Sequence, residues 1–303
     1  MRVYLPATVK DRLADIARRT GRSEAHLIRL AIERLVADEA TTLGRAGYTR
    51  PDDPTANPAN GPRRAVLVGV GIGPGDPELL TVRALRALRR ADRVFAPVTS
   101  EQALGRAETI LREAAPDVVV ERLVFVMEPD PAARADAIDA AGARIAACLD
   151  AGEEVAFITL GDPNVYSTFS SVAAAVRRRR AGTTVETIPG IMAFQDLAAR
   201  TGTVLVDERQ TLTLLTGLDG PGPIDAALDD PDRAVVIYKG GRRLPEIAEQ
   251  AARHGRSGGA VMGELLGLTG ERTSALHEAN GPVTYLATVI IPARDAAPAP
   301  APT

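Results

Sequence analysis

One cysteine, no tryptophan and three histidines are found among the 303 residues. A lone thiol excludes an internal disulfide and any cysteine-rich metal site. Cys148 lies in a helical run over residues 132–151, where a thiol serves as a small apolar packing residue. His26, His254 and His277 are scattered without ligand spacing, so no structural metal is expected. Aromatic residues make up 3% of the chain. No apolar run approaches the roughly 20 residues a membrane span needs. The N-terminus also lacks the apolar core of a signal peptide, so the expectation is a cytoplasmic protein with no membrane partner.

What the chain does contain is unevenly distributed. Its net charge is −3, yet residues 1–50 hold ten Lys/Arg against six Asp/Glu, so the acidity resides in the remainder. The two parts are therefore expected to have different partners. Arg2-Val3-Tyr4-Leu5-Pro6 alternates as a short strand. Thr8 can cap a helix to about Thr20, with Leu13, Ile16 and Ala17 at helical spacing. Gly21-Arg22 turns the chain, and Ser23 caps a second helix bearing Leu27, Ile28, Ala31, Leu35 and Val36. Strand, helix, helix over residues 1–43 resembles a ribbon-helix-helix DNA-binding domain, a unit too small to fold alone. The resemblance implies two chains pairing their strands in a DNA groove, with Arg2 and Tyr4 on the groove-facing side. The plainer reading is a dimerisation unit with a basic surface.

Residues 44–62, ending in the Pro-, Asn- and Asp-rich RPDDPTANPANGP, read as a linker, and 295–303 as a disordered Ala-Pro tail. Between them strand and helix patterns alternate. Strands are expected near 65–70, 93–96, 118–124, 154–159 and 185–188. Helices are expected at 79–90, 101–115, 130–151 and 166–179. Beyond residue 200 the pattern turns strand-rich, at 211–216, 234–238, 261–265, 273–276 and 285–292. The expected fold class is α/β: a mostly parallel sheet domain over 63–205, then a mixed-sheet domain over 206–294.

The most informative stretch is Gly69-Val-Gly-Ile-Gly-Pro-Gly-Asp-Pro-Glu-Leu-Leu-Thr81, placed where a strand runs into a helix. It fits neither common phosphate loop. Pro74 and Asp76 interrupt the dinucleotide spacing, and Gly-Lys-Ser/Thr is absent. A proline removes an amide donor and an aspartate adds negative charge, so a cationic, phosphate-free adenosyl ligand suits this loop better than a polyphosphate. Asp76 has two candidate roles, substrate contact and capping of the helix that begins near Glu78.

This loop, with Gly161-Asp-Pro-Asn-Val-Tyr-Ser-Thr168 and Pro189-Gly-Ile191, resembles the tetrapyrrole (corrin/porphyrin) methylase family over residues 63–294. The resemblance implies two α/β domains and S-adenosylmethionine as methyl donor. It implies cofactor contacts at Pro74, Gly161, Asp162, Pro163, Val165, Ile191, Met192, Ala193, Lys239 and Thr288. Asp162 is either a proton acceptor or hydrogen-bond partner of the cofactor, or a turn-forming residue before proline. The continuation Val165-Tyr-Ser-Thr168 resembles the precorrin-2 C20-methyltransferases, with Tyr166 lining the tetrapyrrole cleft. Met192 and Ala193 depart from that subfamily's two hydroxyl residues. A substrate ringed with carboxylates needs Lys or Arg donors, and Arg242, Arg243, Arg209 and Arg272 are the candidates. Arg177 to Arg180 point in all directions around a helix and form no single patch. The catalytic candidates are Asp76, Asp162 and Tyr166.

The reading that follows is a methyltransferase acting on precorrin-2 at C20, as a homodimer. The alternatives are another tetrapyrrole methylase (on cobalt-precorrin-2 or another ring position), an RNA-methylating branch of the family, and a DNA-binding regulator with a methylase-like sensor.

Overall fold

The computed structural model describes residues 7–20, 24, 65–125, 130–279 and 283–294. The chain divides into two compact units, 1–61 and 62–303. In the first, the described structure is essentially one helix, α1 (Ala7–Thr20), over the span expected from Thr8. The expected ribbon strand with Arg2 and Tyr4, nearly all of the second helix, the linker and the tail lie outside the described residues.

The second unit carries two five-stranded sheets. The first has the order β3-β2-β4-β1-β5 and is parallel throughout. Its strands are β1 (Val66–Gly71), β2 (Arg93–Val98), β3 (Val120–Val124), β4 (Val155–Thr159) and β5 (Thr184–Ile188). Between them run α2 (Val82–Arg90), α3 (Arg106–Ala114), α4 (Pro131–Asp150) and α5 (Phe169–Arg179). Because side chains alternate along a strand, Val66, Val68 and Val70 pack with α2 and α3, while Leu67, Phe95 and Phe157 pack with α4 and α5. Both faces are thereby covered, as a parallel sheet requires. Gly69 sits under the Phe169 ring, where a Cβ would come within 2.4 Å of it.

The second sheet is mixed, in the order β6-β7-β10-β8-β9. Its strands are β6 (Thr211–Thr216), β7 (Arg233–Tyr238), β8 (Val261–Glu264), β9 (Arg272–Ala275) and β10 (Thr288–Ile291), with only β6–β7 parallel. Val235, Ile237, Val289 and Ile291 face α7 (Gly222–Leu228) and α8 (Leu244–Arg253). Val236 and Ile290 face Leu197 and Ala198 of α6 (Ala193–Thr201), which follows β5 and so carries the chain from one sheet to the other.

Several expected boundaries move. The helix expected from residue 79 is broken: Asp76 caps a 3-10 turn at Pro77–Leu79, and Thr81 then caps α2 by accepting from Ala84 N at 3.1 Å. The helix expected from 101 begins at Arg106, after a turn in which Ser100 Oγ accepts from Ala103 N. That expected from 166 begins at Phe169. Arg177, Arg178 and Arg179 are exposed, and Arg178 and Arg179 pair with Asp139, and Arg180 with Asp150, so ion pairs join the arginine run of α5 to α4.

Glu108 of α3 is fully buried and accepts from Arg122 Nε at 2.7 Å and Arg112 Nε at 2.9 Å. Burial alone would push its carboxyl up; the bonds from Arg122 and Arg112 outweigh burial and hold it below the usual carboxylate range. The resulting stabilisation is present above the ordinary carboxylate pKa and lost as pH falls through the depressed value. Glu108→Gln is expected to cost about 2 kcal/mol at neutral pH. Urea unfolding from pH 7 to pH 3 should show the variant losing less stability in acid than the wild type.

Candidate active site

Three turns meet at the carboxyl edge of the parallel sheet, following β1, β4 and β5. The β1 and β4 turns are joined by a bridge in which Gly161 N donates to Gly73 O at 2.8 Å. Gly190, after β5, packs so closely that an added Cβ would lie 2.1 Å from Gly161 O. Asp162 fastens the junction: one carboxylate oxygen accepts from Asn164 N at 2.8 Å, the other from Gly190 N at 3.1 Å. Thr159 and Ser167 hydroxyls lie 2.9 Å apart behind the same turn.

Facing this junction is the end of β7. Tyr238 is followed by Lys239 in the left-handed region, φ 57°. Tyr166 is left-handed too, φ 48°, and donates its hydroxyl hydrogen to Leu214 O of β6 at 3.2 Å. Two non-glycine residues held in this costly conformation on either side of one gap mark a place where the backbone is set by something other than local preference. The Tyr166 ring meets Tyr238 edge-on at 6.3 Å, and Lys239 Nζ stands 5.7 Å over it. Tyr238 Oη accepts from Phe194 N at 3.3 Å, which ties α6 to β7. Burial pushes the Tyr238 phenol up to about 12 and raises that of Tyr166, the latter with help from Asp219. Burial, then the nearby Arg134, lowers the Lys239 ammonium.

Between these walls lies a half-open cavity of about 100 Å³, or about 530 Å³ when the open space at its mouth is counted. Of the residues expected to hold a cofactor, Pro74, Gly161, Asp162, Val165, Met192, Ala193, Lys239 and Thr288 line it; Pro163 and Ile191 adjoin lining residues without lining it. Tyr166, expected at the cleft, lines it as well; so do Leu160, Tyr238 and Leu286, which the sequence did not assign to the site. Leu160 directly precedes the Gly161 segment and Tyr238 directly precedes Lys239; nothing in the sequence marks Leu286.

Asp76 does not line the cavity. Its Oδ1 accepts from Glu78 N at 2.8 Å and its Oδ2 lies 4.0 Å from Arg200, which also bonds Asp196 and Glu271. Arg243 is held by Glu246 and Gly217 O, and Arg272 by Glu264 at 2.6 Å. Arg242 stacks over Tyr285 at 5.8 Å, and Arg209 is exposed on the turn before β6. No group of His, Cys, Asp and Glu suited to a metal ion occurs among the described residues.

The family model for tetrapyrrole (corrin/porphyrin) methylases matches residues 66–278. The chain belongs to this family. Among curated tetrapyrrole methylases, it is 34% identical over 238 residues to the precorrin-2 C(20)-methyltransferase of a Sinorhizobium species, covering 75% of this chain and 94% of that one. It is 31% identical to the cobalt-precorrin-2 C(20)-methyltransferase of Salmonella typhimurium, covering 74% and 95%. With the cobalamin biosynthesis protein CobIJ of Mycobacterium bovis it shares 36% identity over 69% of this chain, and it spans only 42% of that relative's length. The fold is that of the Thermus thermophilus uroporphyrin-III C-methyl transferase complexed with S-adenosyl homocysteine, at TM-score 0.52 and 22% identity, covering 74% and 96%.

The cavity suits the S-adenosylmethionine these methylases use. Gly161 (φ 67°) lines it with nothing within 4 Å of where a Cβ would stand, leaving an open cradle that a side chain would fill. The remaining wall is chiefly apolar and includes one ammonium, that of Lys239.

Proposed function

We propose that this methylase transfers a methyl group from S-adenosylmethionine to C20 of precorrin-2, in corrin synthesis, as a cytoplasmic homodimer. The observation that carries the reading is the cavity where the β1, β4 and β5 turns face Lys239, lined by an open glycine and aromatic rings. Likeness to the two C20-methyltransferases directs it to that ring position.

When bound, the sulfonium supplies an electrophilic methyl group and leaves as a neutral thioether. The chain's part is alignment and exclusion of water, since in-line transfer needs donor and acceptor carbons about 3–3.5 Å apart and properly directed. The glycine junction and Met192–Ala193 would hold the adenosyl end, and Lys239 would take the carboxylate of the methionyl end. Asp162, both of whose oxygens bond backbone amides, keeps the β4 and β5 turns in register. Tyr166 and Tyr238 form the wall along which the reacting groups meet. The electrons come from the pyrrole system of the substrate.

Mass spectrometry of precorrin-2, generated in situ and incubated with protein and S-adenosylmethionine, tests the reading. The expected result is one added methyl group, placed on C20 by NMR. Methyl gain only with cobalt-precorrin-2 would change the substrate, and S-adenosylhomocysteine binding without methyl gain on either would overturn the acceptor. Sedimentation of the full chain tests the dimer.

A further inference from the structure

Among the described residues, nearly every arginine that is not exposed bonds a carboxylate or a carbonyl: Arg122 with Glu108, Arg180 with Asp150, Arg233 with Asp230, Arg243 with Glu246, Arg272 with Glu264, Arg256 with four backbone oxygens. Two half-buried cations have no such bond. One is Lys239 in the cavity wall. The other is Arg106.

Arg106 is costly where it stands. It is the first residue of α3, so its charge faces the positive end of the helix dipole. Gly105 at the cap offers no side-chain acceptor. Burial lowers the pKa of the guanidinium, opposed only by the field of Glu264. Glu264 is itself committed, to Arg272 at 2.6 Å and to Thr284 N at 2.6 Å, and no ion pair joins it to Arg106.

The position explains the expense. α3 packs on the Pro77–Leu79 turn, the continuation of the Pro74 loop. Glu264 ends β8, whose Gly263 pairs with Thr288 of the cavity wall, and its partner Thr284 lies two residues before Leu286 of that wall. Gly105, just before Arg106, lies against the carboxyl end of β2, where an added Cβ would stand 2.9 Å from Pro97 O. Arg106 therefore starts its helix at the same edge of the parallel sheet as the three turns, outside the set of residues that line the cavity itself. Lys239, in the cavity wall, feels the positive charge of Arg134. Half-buried cations without a carboxylate partner at one edge of the sheet suit an anionic ligand that reaches beyond the cavity.

We infer that Arg106 is a substrate-recognition residue: its guanidinium receives a side-chain carboxylate of the tetrapyrrole, which supplies the hydrogen-bond acceptors the folded chain withholds. The inference rests on the methylase reading and assigns the role to a residue outside the family motifs. The other carboxylate that could come here is that of the methionyl end of the cofactor, and the two sources separate experimentally.

The test uses the full chain as wild type, Arg106→Gln and Arg106→Lys. Uroporphyrin III, a stable porphyrin ringed with acetate and propionate groups, is titrated by fluorescence quenching. S-adenosylhomocysteine is titrated by calorimetry, and Tm is recorded for each protein. Arg106→Gln is expected to weaken uroporphyrin binding about tenfold. Arg106→Lys should recover part of that loss, because the charge returns without the planar fork. S-adenosylhomocysteine affinity should hold, and Tm should stay level or rise, since an unmatched buried cation has been removed. Equal porphyrin affinity in wild type and Arg106→Gln overturns the inference. So does a matching loss for S-adenosylhomocysteine, which would make the cofactor the anion, or a fall in Tm, which would make Arg106 structural. Wild-type protein that binds S-adenosylhomocysteine but no porphyrin sinks the tetrapyrrole reading itself, and that outcome is visible before any variant is made.

Discussion

Replacing Gly190 with alanine is expected to weaken S-adenosylhomocysteine binding by a hundredfold or more and to destabilise the fold by about 3 kcal/mol. The added Cβ would stand 2.1 Å from Gly161 O and 2.8 Å from the Gly71 carbonyl carbon, both main-chain atoms that cannot rotate aside. Relief requires the β5 turn to withdraw from the β1 and β4 turns. That movement breaks the bond from Gly190 N to Asp162 and loosens the bridge between Gly73 and Gly161. The control is Gly161→Ala, in the same junction. Its Cβ would meet no atom within 4 Å, so the stability cost is only the left-handed backbone at φ 67°, about 1–2 kcal/mol. The methyl group would nevertheless occupy the cradle, and binding should fall without a large loss of stability. Calorimetric titration and urea unfolding of both variants check the pair; equal effects of the two on stability would refute the account of the junction.

The second large effect concerns Arg256, 2% exposed and without an ion-pair partner among the described residues. Its guanidinium donates to Arg233 O and Pro292 O, each at 2.6 Å, and to Leu228 O and Asp230 O at 3.3 and 3.2 Å. It thereby closes the turn after α7, the start of β7 and the residue after β10 around one charge. Burial and the nearby Arg294 pull its pKa down against the opposing charge of Asp230, and the four carbonyls supply all of its hydrogen-bond acceptors. Arg256→Ala strips several buried carbonyls of their donors and leaves a void, an expected loss of about 4 kcal/mol. Arg256→Lys, with no planar fork, should lose roughly half as much. The urea midpoint should fall with the slope unchanged, since the same surface is exposed on unfolding.

How far the sequence revealed all this depended on the range of the forces involved. The strands of the parallel sheet were legible because both faces are buried, which writes near-continuous apolar runs such as Val66–Val70. The three turns were legible because close main-chain approach demands glycine at Gly71 and Gly190, and a left-handed backbone favours it at Gly161. Helices α7 and α8 were not read as helices: Pro223 and Pro245 look like breakers, yet both sit in a first turn, where proline is tolerated. Nor were Tyr166 and Lys239 legible as left-handed residues. That conformation is imposed across the gap between the sheets, by contacts such as the bond from Tyr166 to Leu214 O. The arginines were the hardest to sort. Arg243 and Arg272 look no different in sequence from Arg106, and only the carboxylates that fold against them separate the committed cations from the uncommitted one.

The strand order also bears on how the protein is made. β1, in the second-last place of its sheet, has as neighbours only β4 and β5, and Leu67 meets its first partner at Val155. On a ribosome adding about 5–20 residues per second, that separation of nearly ninety residues leaves β1 unpaired for roughly 4–18 s. Throughout that interval a wholly apolar segment, Val66–Gly71, is on offer to any other sticky chain nearby. The nascent protein must be shielded or remain dilute until β4 emerges, so yield in a heterologous host should respond to chaperone supply and to slower synthesis at lower temperature.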